Sequence, residues 1–367
     1  MSNRRVAIIG CGQLAQMMAQ EGRPLGVEFS FLAEGGENTD CVQGLGVIVQ
    51  RKQGQGAEAL YQALGCPEVI TSEREQVSVG LLRALQRFCP IYPDPHIIEK
   101  AQHRLREKRA LTDCGLPVAP FVAALKETEL RGALDQLGFP AFIKSCENGY
   151  DGKNQWCVTN AEELEAALPQ TSGQECVVEA GVDFACEVSI IGARSVSGEI
   201  KAYPLTENRH QKGTLILSRA PYANPELVAV AEHYLKTLLR DWDYVGVLAV
   251  ECFICDRGLI INEVAPRVHN SGHWTLEGTE ASQFTNHIRA ILDMPLGDTS
   301  CPQPVVMVNL LGVDTAPKQL NQSVCWYGKK LRPGRKMGHV ILQDFCEDNL
   351  RQRSEAVIKE LYGAAKH

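Results

Sequence analysis

The chain has 367 residues, of which 44% are hydrophobic and 22% are charged. At about 150 residues per domain, this length predicts two or three domains, and the composition excludes a disordered, collagenous or coiled-coil chain. The formal net charge of −7 argues against a general nucleic-acid binder, which needs a basic face, although it leaves room for a basic pocket.

Apolar runs and cysteines indicate the compartment. No apolar run approaches the roughly 18 residues of a membrane span. The 14 cysteines are scattered singly, and the one CxxC pair, Cys252 and Cys255, has too few ligands for a tetrahedral zinc site. With no export signal recognised, we expect reduced, packed thiols in a cytoplasmic protein.

The first 95 residues alternate short apolar runs with helical patterns. Strands are predicted at 6–9, 27–32, 46–49 and 68–70, and helices at 13–20, 56–64 and 77–88. This βαβ order predicts a parallel, doubly wound sheet. Three prolines at 90, 93 and 95 then indicate a domain boundary.

After residue 95 the pattern changes to mixed α+β. Helices are predicted at 97–115, 127–137, 161–168, 225–242, 280–292 and at the end of the chain. Strands are predicted at 139–144, 175–179, 186–192, 200–204, 245–255, 258–264, 305–311 and 324–326. No internal repeat or low-complexity tract is visible.

A glycine-rich turn follows the first predicted strand. Residues 10–15 read Gly-Cys-Gly-Gln-Leu-Ala, and Glu34 ends the second strand. This fits the G-x-G-x-x-[GA] dinucleotide fingerprint with its ribose-binding acid. The same glycines also let a helix N-terminus approach any phosphate. The turn therefore predicts either NAD or a phosphorylated substrate.

Two glutamates lie on adjacent predicted strands around a tight turn. If that turn holds three or five residues, Glu251 and Glu263 face each other across the hairpin. Opposed carboxylates repel unless a cation lies between them or one is protonated, and hard oxygen ligands favour Mg²⁺. The alternative is a one-residue slip that turns one glutamate to solvent.

Three further segments concentrate polar chemistry. The loop at 266–274 carries Arg267, two histidines and a tryptophan, which is typical of a site loop but also of an anchored surface loop. Lys144 ends a strand before a glycine-containing loop that could cover phosphates, or could be a plain hairpin turn. The basic segment at 329–336 indicates either a phosphate clamp or a solvated turn.

Together these motifs resemble the ATP-grasp ligases, and within them the family of N5-carboxyaminoimidazole ribonucleotide synthetases. The resemblance covers residues 6–339. It rests on G-x-G-Q-L-x-x-M at 10–17, G-Y-D-G-K-N-Q at 149–155, I-N-E-V-A-P-R-V-H-N-S-G-H-W-T at 261–275 and R-P-G-R-K-M-G-H at 332–339.

The resemblance implies an ATP-grasp fold with three parts. These are an N-terminal Rossmann-like domain at 1–95, an ATP-grasp domain at 96–300 with a lid at about 116–185, and a small β-rich C-terminal domain at 301–367. It also implies an ATP- and bicarbonate-dependent carboxylation of 5-aminoimidazole ribonucleotide through carboxyphosphate, in purine biosynthesis. ATP, Mg²⁺ (two ions, with Mn²⁺ as a substitute) and a homodimer are implied as well.

The resemblance further implies a role for each matching residue. Catalytic roles fall to Arg267, Tyr150 and His269, and no catalytic lysine is assigned at position 353. Nucleotide contacts fall to Arg104, Lys144, Gly149, Tyr150, Asp151, Gly152, Lys153, Asn154, Gln155, Glu179, Ala180, Gly181, Val182, Glu187, His210, Asn262 and Glu263. Ribonucleotide contacts fall to Gln13, Leu14, Glu73, Tyr150, Asp151, Lys153, His269, Asn270, Lys329, Arg335 and Lys336. Glu251 and Glu263 would hold the metal, and the helix N-terminus at Gly12 would face the ribonucleotide.

The chain departs from the family pattern in the glycine-containing loop. Asn148 and Asn154 stand where the family usually has glycine, and Glu147 adds a negative charge. Asparagine tolerates positive φ better than most residues, so we expect the loop shape to survive. Arg74 likewise replaces an apolar residue between Glu73 and Glu75. The alternatives to the ligase are another ATP-grasp enzyme, an NAD-dependent oxidoreductase and a non-catalytic ATP-binding protein.

Overall fold

The structure is a computed structural model that describes residues 4–147, 154–171, 173–318 and 324–363. Its N-terminal part contains strands β1 (Arg4–Ile9), β2 (Val27–Ala33), β3 (Val47–Gln50) and β4 (Val69–Ser72), and helices α1 (Gln13–Gly22), α2 (Ala57–Ala63) and α3 (Val79–Leu85). The strands form a parallel sheet in the order β3-β2-β1-β4. The predicted doubly wound sheet is confirmed.

The predicted helix at 97–115 is wrong, because this segment forms two helices, α4 (Pro95–Ala101) and α5 (Arg104–Asp113). His103 breaks them by adopting an extended backbone with φ −131°. Its ring nitrogen Nδ1 accepts the backbone N–H of Arg106 at 3.4 Å and so caps α5. The break aims the first turn of α5 at the site described below.

A small antiparallel sheet follows. It contains β5 (Phe121–Ala124), β6 (Ala141–Ser145), β7 (Gln155–Val158) and β8 (Cys176–Ala180) in the order β5-β8-β6-β7, with helices α6 (Glu127–Leu137) and α7 (Ala161–Thr171). The sequence analysis missed β5 and β7. Each has only four residues and is only partly buried, so neither shows a strong apolar pattern.

Within the described ranges, the remaining strands form one large antiparallel sheet of nine strands. They are β9 (Cys186–Arg194), β10 (Ile200–Ala202), β11 (Thr206–Gln211), β12 (Thr214–Ala220), β13 (Gly246–Cys255), β14 (Gly258–Ala265), β15 (Val305–Leu311), β16 (Val324–Trp326) and β17 (Lys336–Gln343). The order is β14-β13-β9-β11-β12-β15-β17-β16, with β10 beside β9. The helices of this part are α8 (Pro225–Asp241), α9 (Thr275–Gly278), α10 (Gln283–Ile291) and α11 (Glu347–Tyr362).

The two faces of the large sheet pack against different layers. Ile191 and Phe284 belong to a core that joins this sheet to α1 and α10. Val188 and Val250 face the other way and pack against Leu235 of α8. Because neighbouring strand residues point to opposite faces, Ser189 and Glu251 lie on the first face, beside the N-terminal part.

Among the described residues, no helix is both long and apolar enough to cross a membrane. None of the 14 cysteines forms a disulfide, and Cys252 is buried in β13, but the expected core packing is wrong for Cys66, Cys157 and Cys346, which are exposed.

Candidate active site

One face of the large sheet carries a row of polar side chains. Directly paired residues share a face, and the register pairs Glu251 with Ser189, Asn208 with Glu187 and with Ser218, and Asn309 with His339. The loop at 267–274 lies over this row, since its side chains hydrogen-bond to the strands beneath. The site is therefore built between a sheet face and one loop.

The predicted pairing of Glu251 with Glu263 is confirmed, but turn length does not produce it. The two-residue turn pairs Cys255 with Gly258, and that register would set Asn262 opposite Glu251. A β-bulge after Ile261 shifts the register by one residue, so that Glu263 opposes Glu251. The side chain of Glu251 is 12% exposed and that of Glu263 is 42% exposed, so the pair opens to solvent on one side only.

Helix α5 holds this bulge in place. The Glu107 carboxylate accepts the backbone N–H of Val264 at 2.6 Å, and the Lys108 ammonium donates to the backbone carbonyl of Asn262 at 2.7 Å. Both side chains are buried. The edge of β14 would otherwise leave these backbone groups without a strand partner. Neither Glu107 nor Lys108 was predicted, because the contact spans over 150 residues of chain.

The Glu107 contact gives a pH prediction. Burial, reinforced by the charge of Glu263, raises the pKa of Glu107 to about 8. A carboxyl whose folded pKa exceeds its unfolded value of about 4.3 loses its stabilising contribution as the pH rises through the folded pKa. Glu107→Gln keeps an acceptor for Val264 and removes the titration. We expect the melting temperature of the wild type to fall more than that of the variant between pH 6 and pH 9.

A buried cluster of two lysines and a glutamate joins the small sheet to α5. Glu179 of β8 contacts Lys144 of β6 and Lys108 of α5, each at 3.0 Å. Burial alone would raise the pKa of Glu179, but the two ammonium groups lower it to about 2. The Glu179 side chain is thus engaged by lysines, which leaves the backbone of 179–182 as the candidate adenine hinge.

Two arginines lie within electrostatic range of the carboxylate pair, since the charge of Glu263 helps to raise the pKa of both Arg104 and Arg267. The Arg104 guanidinium lies 3.3 Å from the Glu263 carboxylate. Arg267 makes two contacts with Glu75, at 2.6 and 3.1 Å, and both side chains are largely buried. Glu75 therefore orients Arg267, a role the sequence analysis did not assign.

Position 353 holds an arginine, so a catalytic lysine there is ruled out by the sequence itself. Arg353 lies on α11, where its guanidinium donates to the backbone carbonyl of Gln343 at 3.1 Å and pairs with Asp344 at 3.4 Å. These contacts tie α11 to the end of β17. Arg353 therefore has a structural role, and it is not one of the proposed site residues.

Glu251 lies among histidines and carboxylates. His269 Nε2 lies 3.1 Å from Glu251 Oε1, and His210 Nδ1 lies 2.8 Å from Glu187. Ligand atoms of Glu187, His210 and Glu251 all lie within 4.8 Å of one another. Burial and the charge of Glu263 raise the pKa of Glu251 to about 7. A cation between the two carboxylates would relieve this repulsion.

The helix N-terminus at Gly12, which is predicted to face the ribonucleotide, is capped by a carboxylate of the same chain in this structure. Glu73 occupies that position, accepting the backbone N–H groups of Gly12 and Ala15 at 2.5 and 2.9 Å. A Cβ at Gly10 or Gly12 would lie within 3 Å of the Glu73 side chain. The glycines therefore make room for a carboxylate of the same chain. Phosphate is not needed to explain them.

A second carboxylate completes this turn. Glu37 accepts the backbone N–H of Cys11 at 3.0 Å and pairs with Arg74 at 2.8 Å. Arg74, which departs from the family pattern, thus balances Glu37. Glu34, the candidate ribose-binding acid, is paired with Arg51 at 3.1 Å. Because backbone N–H groups of the turn and the Glu34 carboxylate already have partners within the chain, they are not available to bind a dinucleotide in this structure.

The C-terminal basic segment returns to the glycine-rich turn. Lys329 contacts the side chain of Gln13, which brings together two residues expected to bind the ribonucleotide. Arg335 and Lys336 are half-buried nearby in the chain, and Leu14 is buried. Burial lowers the pKa of Lys329, and the charges of Arg335 and Lys336 add to that effect, so the three cations lie close to one another.

Asn270 has a different environment from the one expected. Its side-chain amide is paired reciprocally with that of Asn309, at 2.7 and 3.0 Å. Both side chains are buried. The Asn270 amide thus anchors the loop to β15 and is engaged within the protein.

Most of the glycine-containing loop lies outside the described residues: Asn148, Gly149, Tyr150, Asp151, Gly152 and Lys153. The flanking departures are described. Asn154 has φ +53°, the left-handed conformation that asparagine was expected to tolerate. Glu147 lies 3.8 Å from Arg106, which balances its added charge. Gln155 begins β7.

Comparison with known proteins decides the family. The model of the ribonucleotide synthetase preATP-grasp domain matches residues 3–102, that of the ATP-grasp domain residues 109–284, and that of the phosphoribosylaminoimidazole carboxylase C-terminal domain residues 305–353. The N5-carboxyaminoimidazole ribonucleotide synthase of Escherichia coli is 39% identical over 360 residues, covering 97% of this chain and 94% of that protein. The same enzyme of Pseudomonas aeruginosa is 38% identical over 348 residues, covering 94% and 95%. This chain belongs to the N5-carboxyaminoimidazole ribonucleotide synthase family.

Solved structures of this family agree with the fold. The synthetase from Thermus thermophilus superposes with a TM-score of 0.90 at 38% identity, covering 99% of each chain. The Aspergillus clavatus enzyme, in complex with ADP and 5-aminoimidazole ribonucleotide, gives 0.88 at 26% identity, covering 98% of this chain and 99% of that one. The expected ATP-grasp fold is therefore confirmed.

Proposed function

We propose that this protein carboxylates 5-aminoimidazole ribonucleotide at N5, consuming ATP and bicarbonate and releasing ADP and phosphate, in purine biosynthesis. It is an ATP-dependent ligase that forms a carbon–nitrogen bond. Beyond family membership, the observation that carries the proposal is the bulged hairpin that sets Glu251 opposite Glu263, beside Arg104.

The reaction balances in two steps. A bicarbonate oxygen attacks the γ-phosphorus of ATP, the bond to the β-phosphate oxygen breaks, and ADP leaves. The product, carboxyphosphate, then gives its carboxyl carbon to the amine nitrogen, and phosphate leaves with one bicarbonate oxygen while the amine loses a proton. Both steps bring anionic groups together, so their negative charge must be stabilised, and water must be excluded from carboxyphosphate.

We assign the charge-stabilising roles to buried cations. Lys144 and Arg104 would contact the ATP phosphates, and Arg267, oriented by Glu75, would face the transferred phosphoryl group and bicarbonate. Guanidinium groups suit this role because they bind phosphate oxygens bidentately. Glu187 and His210 would take the nucleotide, with His269 beside the reacting groups. The glycine-containing loop with Tyr150 remains part of the proposal.

The residues present fit a divalent cation. Glu251 and Glu263 offer opposed carboxylates whose repulsion a cation would relieve, and Asn262 lies in the bulge beside Glu263. Oxygen donors of this kind suit Mg²⁺, with Mn²⁺ as a substitute and two ions as the proposed number. When bound, the metal supplies charge neutralisation at the phosphates.

Further assignments belong to the same proposal. Gln13, Leu14, Glu73, Asn270, Lys329, Arg335 and Lys336 would form the ribonucleotide site together with the glycine-containing loop. In this structure Glu73 caps α1 and Asn270 pairs with Asn309, so both would bind ribonucleotide only after rearranging. The domain limits of 1–95, 96–300 and 301–367, a homodimer and a cytoplasmic location are proposed on family resemblance.

ADP release by the purified protein tests the function. With Mg²⁺ and ATP, we expect release that requires 5-aminoimidazole ribonucleotide and increases with bicarbonate. Thermal unfolding supplies a second readout, since Mg-ATP should raise the melting temperature and NAD should not. Protection by Mg-ATP without any ADP release would instead indicate a non-catalytic nucleotide binder. Protection by NAD alone would contradict the account.

A further inference from the structure

A chain of buried hydrogen bonds runs beneath the site loop and ends at Glu251. It crosses three neighbouring strands of the large sheet, and then enters the loop. The members in order are Ser218, Asn208, Ser189, Ser271, His269 and Glu251. The first four side chains are buried, with exposures between 0% and 5%. None of these four was assigned a role above.

The heavy-atom distances are those of ordinary hydrogen bonds. Ser218 Oγ lies 2.8 Å from Asn208 Oδ1, and Asn208 Nδ2 lies 2.9 Å from Ser189 Oγ. Ser189 Oγ lies 2.8 Å from Ser271 Oγ. Ser271 Oγ in turn lies 2.9 Å from His269 Nδ1. Hydroxyl groups can both donate and accept, so distances alone allow the chain to run in either direction.

A backbone group fixes the direction. The N–H of Ser271 points at His269 Nδ1 at 3.3 Å, and a backbone N–H can only donate. His269 Nδ1 is therefore an acceptor, and the proton of the neutral ring lies on Nε2. Nε2 then donates to Glu251 Oε1 at 3.1 Å. Traced back from His269, the chain has one consistent set of donors. Ser271 donates to His269, Ser189 donates to Ser271, and the Asn208 amide donates to Ser189.

We propose that Ser189, Asn208 and Ser218 are positioning residues that hold His269 as the Nε2–H tautomer, donating to one oxygen of Glu251. This leaves the other oxygen of Glu251 to face Glu263 across the hairpin. Ser218 donates to Asn208 Oδ1, and the NH₂ group of the same amide donates to Ser189, so both ends of the amide are engaged in the chain. The consequence for a metal rests on the proposed function, whereas the tautomer of His269 does not.

A purely structural role would not require this direction. Asn309 and Asn270 form another buried amide pair on the same sheet face, and it anchors the loop without reaching Glu251. Asn208→Asp and Asn309→Asp are thus matched changes. Each replaces a buried side-chain amide on the same face of the large sheet by a carboxyl group. Only the first removes the donor to Ser189. With an aspartate carboxylate accepting from Ser189, the hydroxyl part of the chain reverses, so Ser271 Oγ no longer donates to Nδ1 and only the longer backbone contact at 3.3 Å still favours the Nε2–H tautomer.

The tautomer is measured on the full-length, metal-free protein labelled with ¹⁵N-histidine, using two-bond ¹H–¹⁵N correlation spectra. The signal of His269, one of nine histidines, is assigned with His269→Gln. We expect the Nε2–H tautomer in the wild type and in Asn309→Asp, and a shift toward Nδ1–H in Asn208→Asp. Ser271→Ala, which removes the hydroxyl link, gives a second variant if the buried aspartate prevents folding, and we expect it to broaden or shift the same signal.

Mn²⁺ binding followed by electron paramagnetic resonance supplies the second readout. Loss of a supporting contact to a metal ligand typically weakens affinity by about 10–100-fold. We expect that loss in Asn208→Asp and Ser271→Ala, and a change of less than about threefold in Asn309→Asp. An Nδ1–H tautomer in the wild type, or an unchanged His269 signal in both relay variants, would overturn the proposal. Failure of the wild type to bind Mn²⁺ would contradict the metal assignment, while the spectra still decide the relay.

Discussion

Replacing Glu263 by glutamine is expected to lower the rate of ADP release by roughly 10³-fold. Of the two opposed carboxylates, Glu263 is the more open to solvent, and it also contacts Arg104. An amide is isosteric but supplies no negative charge for a cation beside the phosphates. Since several kcal/mol of charge stabilisation are attributed to such a metal, its loss acts mainly on kcat. Steady-state ADP release at saturating ATP measures the effect.

A matched control separates this effect from general damage. Glu68 has a side chain 47% exposed, against 42% for Glu263, and pairs with a single arginine, Arg4. It lies in the N-terminal part, away from the carboxylate pair. Glu68→Gln should leave ADP release close to that of the wild type. Activity of Glu263→Gln within tenfold of the wild type would show that the carboxylate pair does not hold a metal needed for turnover.

Glu179→Gln is expected to destabilise the fold by about 3–5 kcal/mol, the usual cost of removing one partner of a buried ion pair. Lys108 and Lys144 both contact this carboxylate, and all three residues are less than 9% exposed. The variant would leave two buried ammonium groups without their counterion. Urea unfolding followed by circular dichroism measures the change.

The same carboxylate gives the expected pH dependence. Its folded pKa of about 2 lies below the unfolded value of about 4.3, so its stabilisation is present above pH 4.3 and is lost as the pH falls toward 2. Glu179→Gln should therefore flatten the stability curve in that acidic range. Glu165, an exposed glutamate paired with Arg131, is the control, and Glu165→Gln should change little. Equal stability of Glu179→Gln and the wild type at neutral pH would contradict a coupled buried cluster.

The sequence predicted those features that local patterns determine. The βαβ order of the first 95 residues and the hairpin of β13 and β14 follow from apolar periodicity. The pairing of Glu251 with Glu263 was also predicted, but it depends on a bulge after Ile261 that no local pattern indicates. That bulge is held by Glu107 and Lys108, which lie far away in the chain.

The rest of the site depends on contacts between residues that are far apart in the sequence. Glu73 fills the glycine-rich turn, although the turn itself reads as a phosphate or dinucleotide site. Strands β11 and β12 escaped prediction, β11 because its residues are mostly polar. Those polar residues include Asn208, which is buried only because β9 and β12 flank it. The burial of these residues depends on which strands pair in the folded sheet, and a single sequence does not show that pairing.

The path of one oxygen atom tests the central claim most directly. Bicarbonate labelled with ¹⁸O is supplied with Mg²⁺, ATP and 5-aminoimidazole ribonucleotide, and the released phosphate is analysed by mass spectrometry. Because phosphate leaves carboxyphosphate with one bicarbonate oxygen, we predict one ¹⁸O in each phosphate formed during coupled turnover. Phosphate that instead carries its new oxygen from water would show simple hydrolysis of ATP, and would contradict the assignment of a bicarbonate-dependent ligase.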